Sequence, residues 1–71
     1  MGKTKNYIVA YQLDNGTELY VSNLNMRSKE DKEIHLTPDM RVAKRFDITT
    51  AENIVIMNWW KNIGNSFVKI I

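Results

Sequence analysis

A chain of 71 residues without cysteine excludes a disulfide framework and a thiolate metal site, so one small hydrophobic core must hold a single domain spanning 1–71. With 44% hydrophobic and 25% charged residues the chain has the balance of a folded domain, and ten Lys and Arg against eight Asp and Glu leave a charge of only +2, too little to mark a nucleic-acid-binding protein by itself. No apolar run approaches the ~20 residues of a membrane span or the ~7–15 of a signal-peptide core, which points to a cytoplasmic protein with no membrane partner.

Residues 1–5 are small and basic and read as a frayed end; Gly2 does not begin a myristoylation motif, because position 6 is Asn6 rather than Ser or Thr. From Tyr7 to Leu13 and again from Glu18 to Leu24, β-forming residues dominate, and Asn15-Gly16 between them is a strong hairpin signal. A two-residue loop there sets Tyr11 opposite Tyr20 and Ala10 opposite Val21. One face then carries Tyr7, Val9, Tyr11, Leu13 and Tyr20, and the other Ile8, Ala10, Leu19 and Val21. Neither face is polar, whereas a sheet with one wet side should alternate. The hairpin thus predicts surplus apolar surface.

Residues 25–33 mix both charge signs without an apolar period and read as a mobile, solvated loop. Ile34-His35-Leu36 predicts a short third strand. Thr37-Pro38-Asp39 offers a capping hydroxyl, a proline at the first helical position and an acid at the positive helix end, so one helical turn should run through about Val42. Ala43 to Phe46 returns as extended chain with Phe46 as a core anchor.

Thr49-Thr50-Ala51-Glu52 has the pattern of a capping box, which starts the main helix at about Thr50 and extends it through 49–63. At about 100° per residue, Val55, Ile56, Trp59, Trp60 and Ile63 form one wide stripe, leaving Ile54 and Met57 outside it. Gly64 closes the helix, and Ser66 to Ile71 forms a last strand. The fold class is α+β: a small antiparallel sheet, made of a β-hairpin, a third strand and a C-terminal strand, packed on one helix in the order β-β-β-(short helical turn)-α-β.

Catalytic chemistry finds no support. The single histidine, His35, sits between Ile34 and Leu36 as a strand residue, and no cysteine or activated serine accompanies it. Glu30, Asp31 and Glu33 lack the spacing of a calcium loop, and glycines at 2, 16 and 64 cannot form a phosphate cradle. No catalytic residue, metal ligand or cofactor is assigned, and the chain reads as a non-enzyme.

Two binding surfaces remain. Adjacent tryptophans on a helix diverge, so Trp60 with Trp59, Met57 and Ile54 forms an apolar patch of the kind that marks protein interfaces. Alternatively, Tyr7, Tyr11 and Tyr20 with the basic residues Arg41, Lys44 and Arg45, to which Lys3 and Lys5 add charge, have the parts of a single-stranded nucleic-acid platform. A third outlet for the surplus surface is a homodimer.

The pattern Tyr7-Ile8-Val9, Tyr20-Val21, Leu36-Thr37-Pro38-Asp39, Ala43-Lys44-Arg45-Phe46-Asp47 and Thr50-Ala51-Glu52 resembles that of small proteins from phages and prophages of Gram-positive bacteria. There a hairpin precedes a Leu-Thr-x-Asp, Ala-x-x-Phe stretch and a helix, although Trp59-Trp60 departs from the more polar helix of that pattern. The resemblance implies a protein that binds a host or anti-phage defence component in the host cytoplasm as an inhibitor or modulator. It transfers no catalytic residue.

Overall fold

The computed structural model describes residues 5–71. The expectation of a frayed end therefore falls, for residues 1–4 and hence for Lys3, outside the described residues. The elements are β1 (Tyr7–Gln12), β2 (Glu18–Met26), β3 (Lys32–Thr37), a 3-10 turn (Met40–Val42), α1 (Ile48–Met57) and β4 (Asn65–Ile70). The strands form one antiparallel sheet in the order β3-β2-β1-β4, so the last strand joins the free side of the first.

The β1–β2 turn corrects the expected register. Ala10 faces Tyr20 and Tyr11 faces Leu19, one residue away from the pairing of a two-residue loop. Leu13 N–H donates to Thr17 O at 2.8 Å, and Gly16 N–H donates to Leu13 O at 2.9 Å, closing a three-residue loop over Asp14, Asn15 and Gly16. Of these only Gly16 takes a positive φ, +88°, as a three-residue hairpin loop requires, whereas a type I′ turn would demand it of Asn15 as well. A shift of one residue exchanges the faces of β2. Val21 joins Val9 and Tyr11 toward the helix, and Tyr20 turns to the other side.

Beyond Tyr20, β2 parts from β1, with an irregularity in its pairing to β3 between Val21 and Asn23. The 44–46 segment fills the gap. Phe46 and Tyr7 exchange backbone hydrogen bonds of 2.7 and 3.1 Å, while Lys44 N–H donates to Val21 O at 2.8 Å. Phe46 is the core anchor expected of it, packed with Val9, Tyr11, Val21, Ala51, Ile54 and Trp60. The 3-10 turn is capped by Asp39, whose carboxylate accepts from Arg41 N–H at 2.9 Å, rather than by Thr37, whose hydroxyl accepts from Asp39 N–H at 3.1 Å.

The helix is shorter than the apolar pattern suggested. It starts at Ile48 after the extended Asp47, not at a threonine box, and stops at Asn58 in the left-handed conformation (φ 51°, ψ 43°), whose N–H donates to Ile54 O at 3.2 Å. Trp59 and Trp60 therefore lie on turns beyond it, and the expected stripe does not form. Ala51, Ile54 and Val55, at i, i+3 and i+4, face the sheet, whereas Ile56 is 78% exposed. Gly64 lies at the entry to β4 instead of closing the helix. A Cβ there would collide with the backbone O of Gln12 and come within 2.9 Å of its carbonyl carbon, so the close approach of 64 to β1 needs glycine.

Truncating Ile54 to alanine should cost about 2–5 kcal/mol, while Ile56→Ala should stay within about 0.5 kcal/mol; urea unfolding of both variants checks which side of the helix is the core. The Tyr11 hydroxyl is buried without a hydrogen-bond partner among the described residues, and burial pushes its pKa up. Tyr11→Phe removes the orphaned group and should raise stability by about 1 kcal/mol in the same assay.

Candidate functional site

The second hairpin and the end of the helix build a groove that no contiguous stretch of sequence encodes. Strands β2 and β3 extend to Met26 and from Lys32, so only 27–31 of the segment read as a loop over 25–33 lies outside the strands. This tip is tied by its own polar groups. Asp31 N–H donates to Ser28 Oγ at 2.9 Å, Ser28 N–H to Asp31 O at 3.3 Å, and Asn25 Nδ2 to Asp31 Oδ1 at 3.2 Å.

Between the tip and residues 57–61 lies an open cavity of about 370 Å³, lined by Lys29, Lys32, Met57, Asn58, Trp59 and Lys61. Its lining carries three ammonium groups and no carboxylate. Strand alternation explains the sorting of charge: Lys32 shares the helix-facing side of β3 with Ile34, which packs on the core, whereas Glu33 pairs with His35 at 3.5 Å on the opposite face. Asp31 is held by Asn25 and lies 3.8 Å from the Arg27 guanidinium. A segment of mixed charge thereby presents a basic side to the groove.

The apolar part of the lining follows from the left-handed Asn58, which ends the helix between Met57 and Trp59. Met57 is 52% exposed and carries a flexible, polarizable thioether suited to an irregular partner. The Trp59 ring, half buried, rests against Trp60 with centroids 6.3 Å apart and planes tilted by 57°. Trp60 is only 8% exposed and acts as the anchor for its neighbour.

The expected patch of Ile54, Met57, Trp59 and Trp60 is thus divided. Ile54, 3% exposed, and Trp60 belong to the core, because the helix turns Ile54 toward the sheet and the turn after Asn58 folds Trp60 under it. Met57 and Trp59 remain at the surface and line the groove. The lysines that complete it, Lys29, Lys32 and Lys61, were not among the expected binding residues. Their only sequence signal is positive charge, and what brings them together is the fold, which sets residues of both segments around one cavity.

The alternative platform is divided as well. Tyr11 is fully buried in the core and Tyr7 packs against it, while the corrected register places Tyr20 on the opposite face of the sheet. There Glu18 Oε1 accepts from Lys69 Nζ at 2.7 Å and from Tyr20 Oη at 2.9 Å, with the ammonium 5.8 Å from the Tyr20 ring centroid. Tyr20 and Phe67 flank Ala10 across three strands, and Ile8 and Ala10 beneath them are fully buried. Of the basic residues, Arg41 spends its guanidinium on Asp39, donating from Nε and Nη2 at 3.1 Å each. That pairing, with the Arg41 backbone N–H, holds the Asp39 carboxyl below its usual range. Lys44, Arg45 and Lys5 are exposed, and none of them lines the groove.

Among the described residues, no group of three His, Asp or Glu side chains could hold a metal ion, and no helix is long and apolar enough to cross a membrane.

On the open face, the Lys69 ammonium and then the Tyr20 hydroxyl lower the Glu18 pKa. A depressed carboxyl stabilises the fold above the pKa it has in the unfolded chain, and that contribution is lost as pH falls through the folded value. Lys69→Met should therefore move the Glu18 carboxyl up toward its ordinary value and weaken the acid dependence of unfolding. An NMR pH titration of the side-chain carboxyl carbon, with urea midpoints at neutral and acid pH, checks both.

Comparison of the chain with models of known protein families, with curated proteins and with solved structures gives no match, which leaves the geometry of the groove as the guide to function.

Proposed function

We propose that the protein is a non-enzymatic binding module that takes a segment of another protein into the groove between the β2–β3 tip and the end of α1. The observation that carries this reading is a half-buried tryptophan and an exposed methionine ringed by three lysines without a compensating acid. Such a lining suits a segment in which carboxylates flank a large apolar side chain: the apolar group covers Met57 and Trp59, and the acids meet Lys29, Lys32 and Lys61. Ile56, exposed next to Met57 in the chain, adds apolar surface that a protein partner would cover. With the resemblance to small phage proteins, this makes the module an inhibitor or modulator of a host or anti-phage defence protein in the host cytoplasm.

A second reading, single-stranded nucleic acid, is favoured by the same lysines, since a base could stack on Trp59 while phosphates track the ammonium groups. The protein reading accounts better for Ile56 and Met57, which a phosphate backbone would leave bare. Cofactors play no part in either.

Titration of the labelled protein with a twelve-residue peptide alternating Glu with Leu and Phe, followed by NMR, tests the proposal. The Met57 methyl and Trp59 indole signals should shift, and Lys32→Glu with Lys61→Glu should weaken binding at least about tenfold while Lys44→Glu leaves it unchanged. No shift at Met57 and Trp59, or equal binding of an uncharged Gln analogue, would overturn it. Tight binding of oligothymidylate that falls steeply with salt would move the assignment to nucleic acid.

A further inference from the structure

The two edges of the sheet are protected very differently. The β3 edge carries Lys32, Glu33 and His35, polar side chains that discourage another strand from adding there. The β4 edge is guarded more weakly and pairs with β1 over six residues without an irregularity. Its sequence, Asn-Ser-Phe-Val-Lys-Ile, contains one charge, Lys69, and that ammonium is committed to Glu18 on the open face of the sheet. Two exposed large apolar residues lie at its end, Ile70 at 75% and Ile71 at 43%.

The hydrogen-bond parity of β4 follows from its ladder with β1. Ile71 N–H donates to Asn6 O at 2.9 Å, so 71 belongs to a hydrogen-bonded pair, and by alternation Lys69 opposite Ile8, Phe67 opposite Ala10 and Asn65 opposite Gln12 do too. The backbone groups of Ser66, Val68 and Ile70 therefore point away from the sheet. Among the described residues none of these three has a tertiary backbone partner.

We infer that this edge pairs with the same edge of a second copy of the chain, antiparallel about a two-fold axis at Val68, to give a continuous eight-stranded sheet. In that register Val68 meets Val68 of the second copy and Ser66 meets Ile70, so each outward-facing residue opposes an outward-facing one and the pairs exchange their backbone hydrogen bonds. On the other face Phe67 falls opposite Lys69, a cation beside an aromatic ring. Centring the axis on Lys69 would oppose two like charges, which is unfavourable, and centring it on Phe67 would set Ile70 against Gly64 and leave its side chain uncovered. The Val68 register is the one that covers the exposed isoleucine, avoids like charges and uses every outward group. This surface is separate from the groove, so the inference does not depend on the proposed function.

Light scattering across about 1 µM to 1 mM should show the mass rising from 8.3 kDa toward twice that value. Amide exchange at Ser66, Val68 and Ile70 should slow with protein concentration, while Phe67 and Lys69, bonded to β1, stay protected throughout. Ser66→Pro removes an outward N–H without touching the β1 ladder and should abolish dimerisation with the Phe67 and Lys69 amides still protected. Should that variant fail to fold, Ile70→Lys decides, since a side chain 75% exposed is not needed by the monomer and a lysine on the edge should weaken the dimer about tenfold or more. Lys61→Glu should leave the dimer intact. A monomer at every concentration would overturn the inference, as would a dimer in which the outward amides exchange freely or which both edge variants retain.

Discussion

The register of the first hairpin is the constraint on which the rest of the structure depends. Gly16 takes a positive φ that its neighbours do not, and this closes a three-residue rather than a two-residue loop. The consequence is a choice of faces for β2: with Val21 rather than Tyr20 turned toward α1, the helix-facing side gains an aliphatic residue beside Val9 and Tyr11. Tyr20 is freed to seal Ile8 and Ala10 on the other side together with Phe67. A small domain cannot bury both faces of its sheet under helices, and here the second face is closed by its own side chains and one bridging carboxylate, Glu18.

The second decisive residue is Asn58. An uninterrupted helix through 63 would have placed Trp59 and Trp60 about 100° apart on one cylinder, at the level of the sheet. Stopping the helix in the left-handed conformation instead separates their roles: Trp60 folds into the core, and Trp59 is left to line the cavity that faces the hairpin tip. Asparagine tolerates that conformation better than other residues with a side chain. A one-residue change of backbone conformation thus turns a hydrophobic stripe into an anchor and a groove wall.

Much of the architecture was legible in the chain. Four strands, the short helical turn, the helix between Phe46 and the last strand, and Phe46 as an anchor follow from β-forming runs, turn residues and caps, which are local signals. Register and helix end were not, because each depends on one backbone conformation: Asn-Gly is compatible with loops of two or three residues, and Asn58 sits inside an apolar run whose period suggests continuation. Both errors propagated to the candidate sites. The tyrosine platform required Tyr11 and Tyr20 on one face, and the apolar patch required Ile54 outside the core. The groove lysines lay beyond reach for a different reason, since Lys29 and Lys32 meet Lys61 only through tertiary contact.

The groove also shows why a net charge says little about a binding surface. A surplus of +2 spread over 71 residues is weak, but charge is not spread evenly. The tip segment alternates lysines with acids, and pleating with side-chain hydrogen bonds draws Asp31 toward Asn25 and Arg27 and sends Glu33 to the far face. What is left toward Met57 and Trp59 is wholly basic. A partner approaching that side would meet three positive charges beside Met57 and Trp59. An aliphatic surface alone would accept many hydrophobic segments; in the proposed binding mode the ammonium groups would reject those without acids. In the proposed binding mode the selectivity would therefore reside in the lysines and the contact area in Met57 and Trp59, a division of labour that would separate specificity from adhesion within six residues.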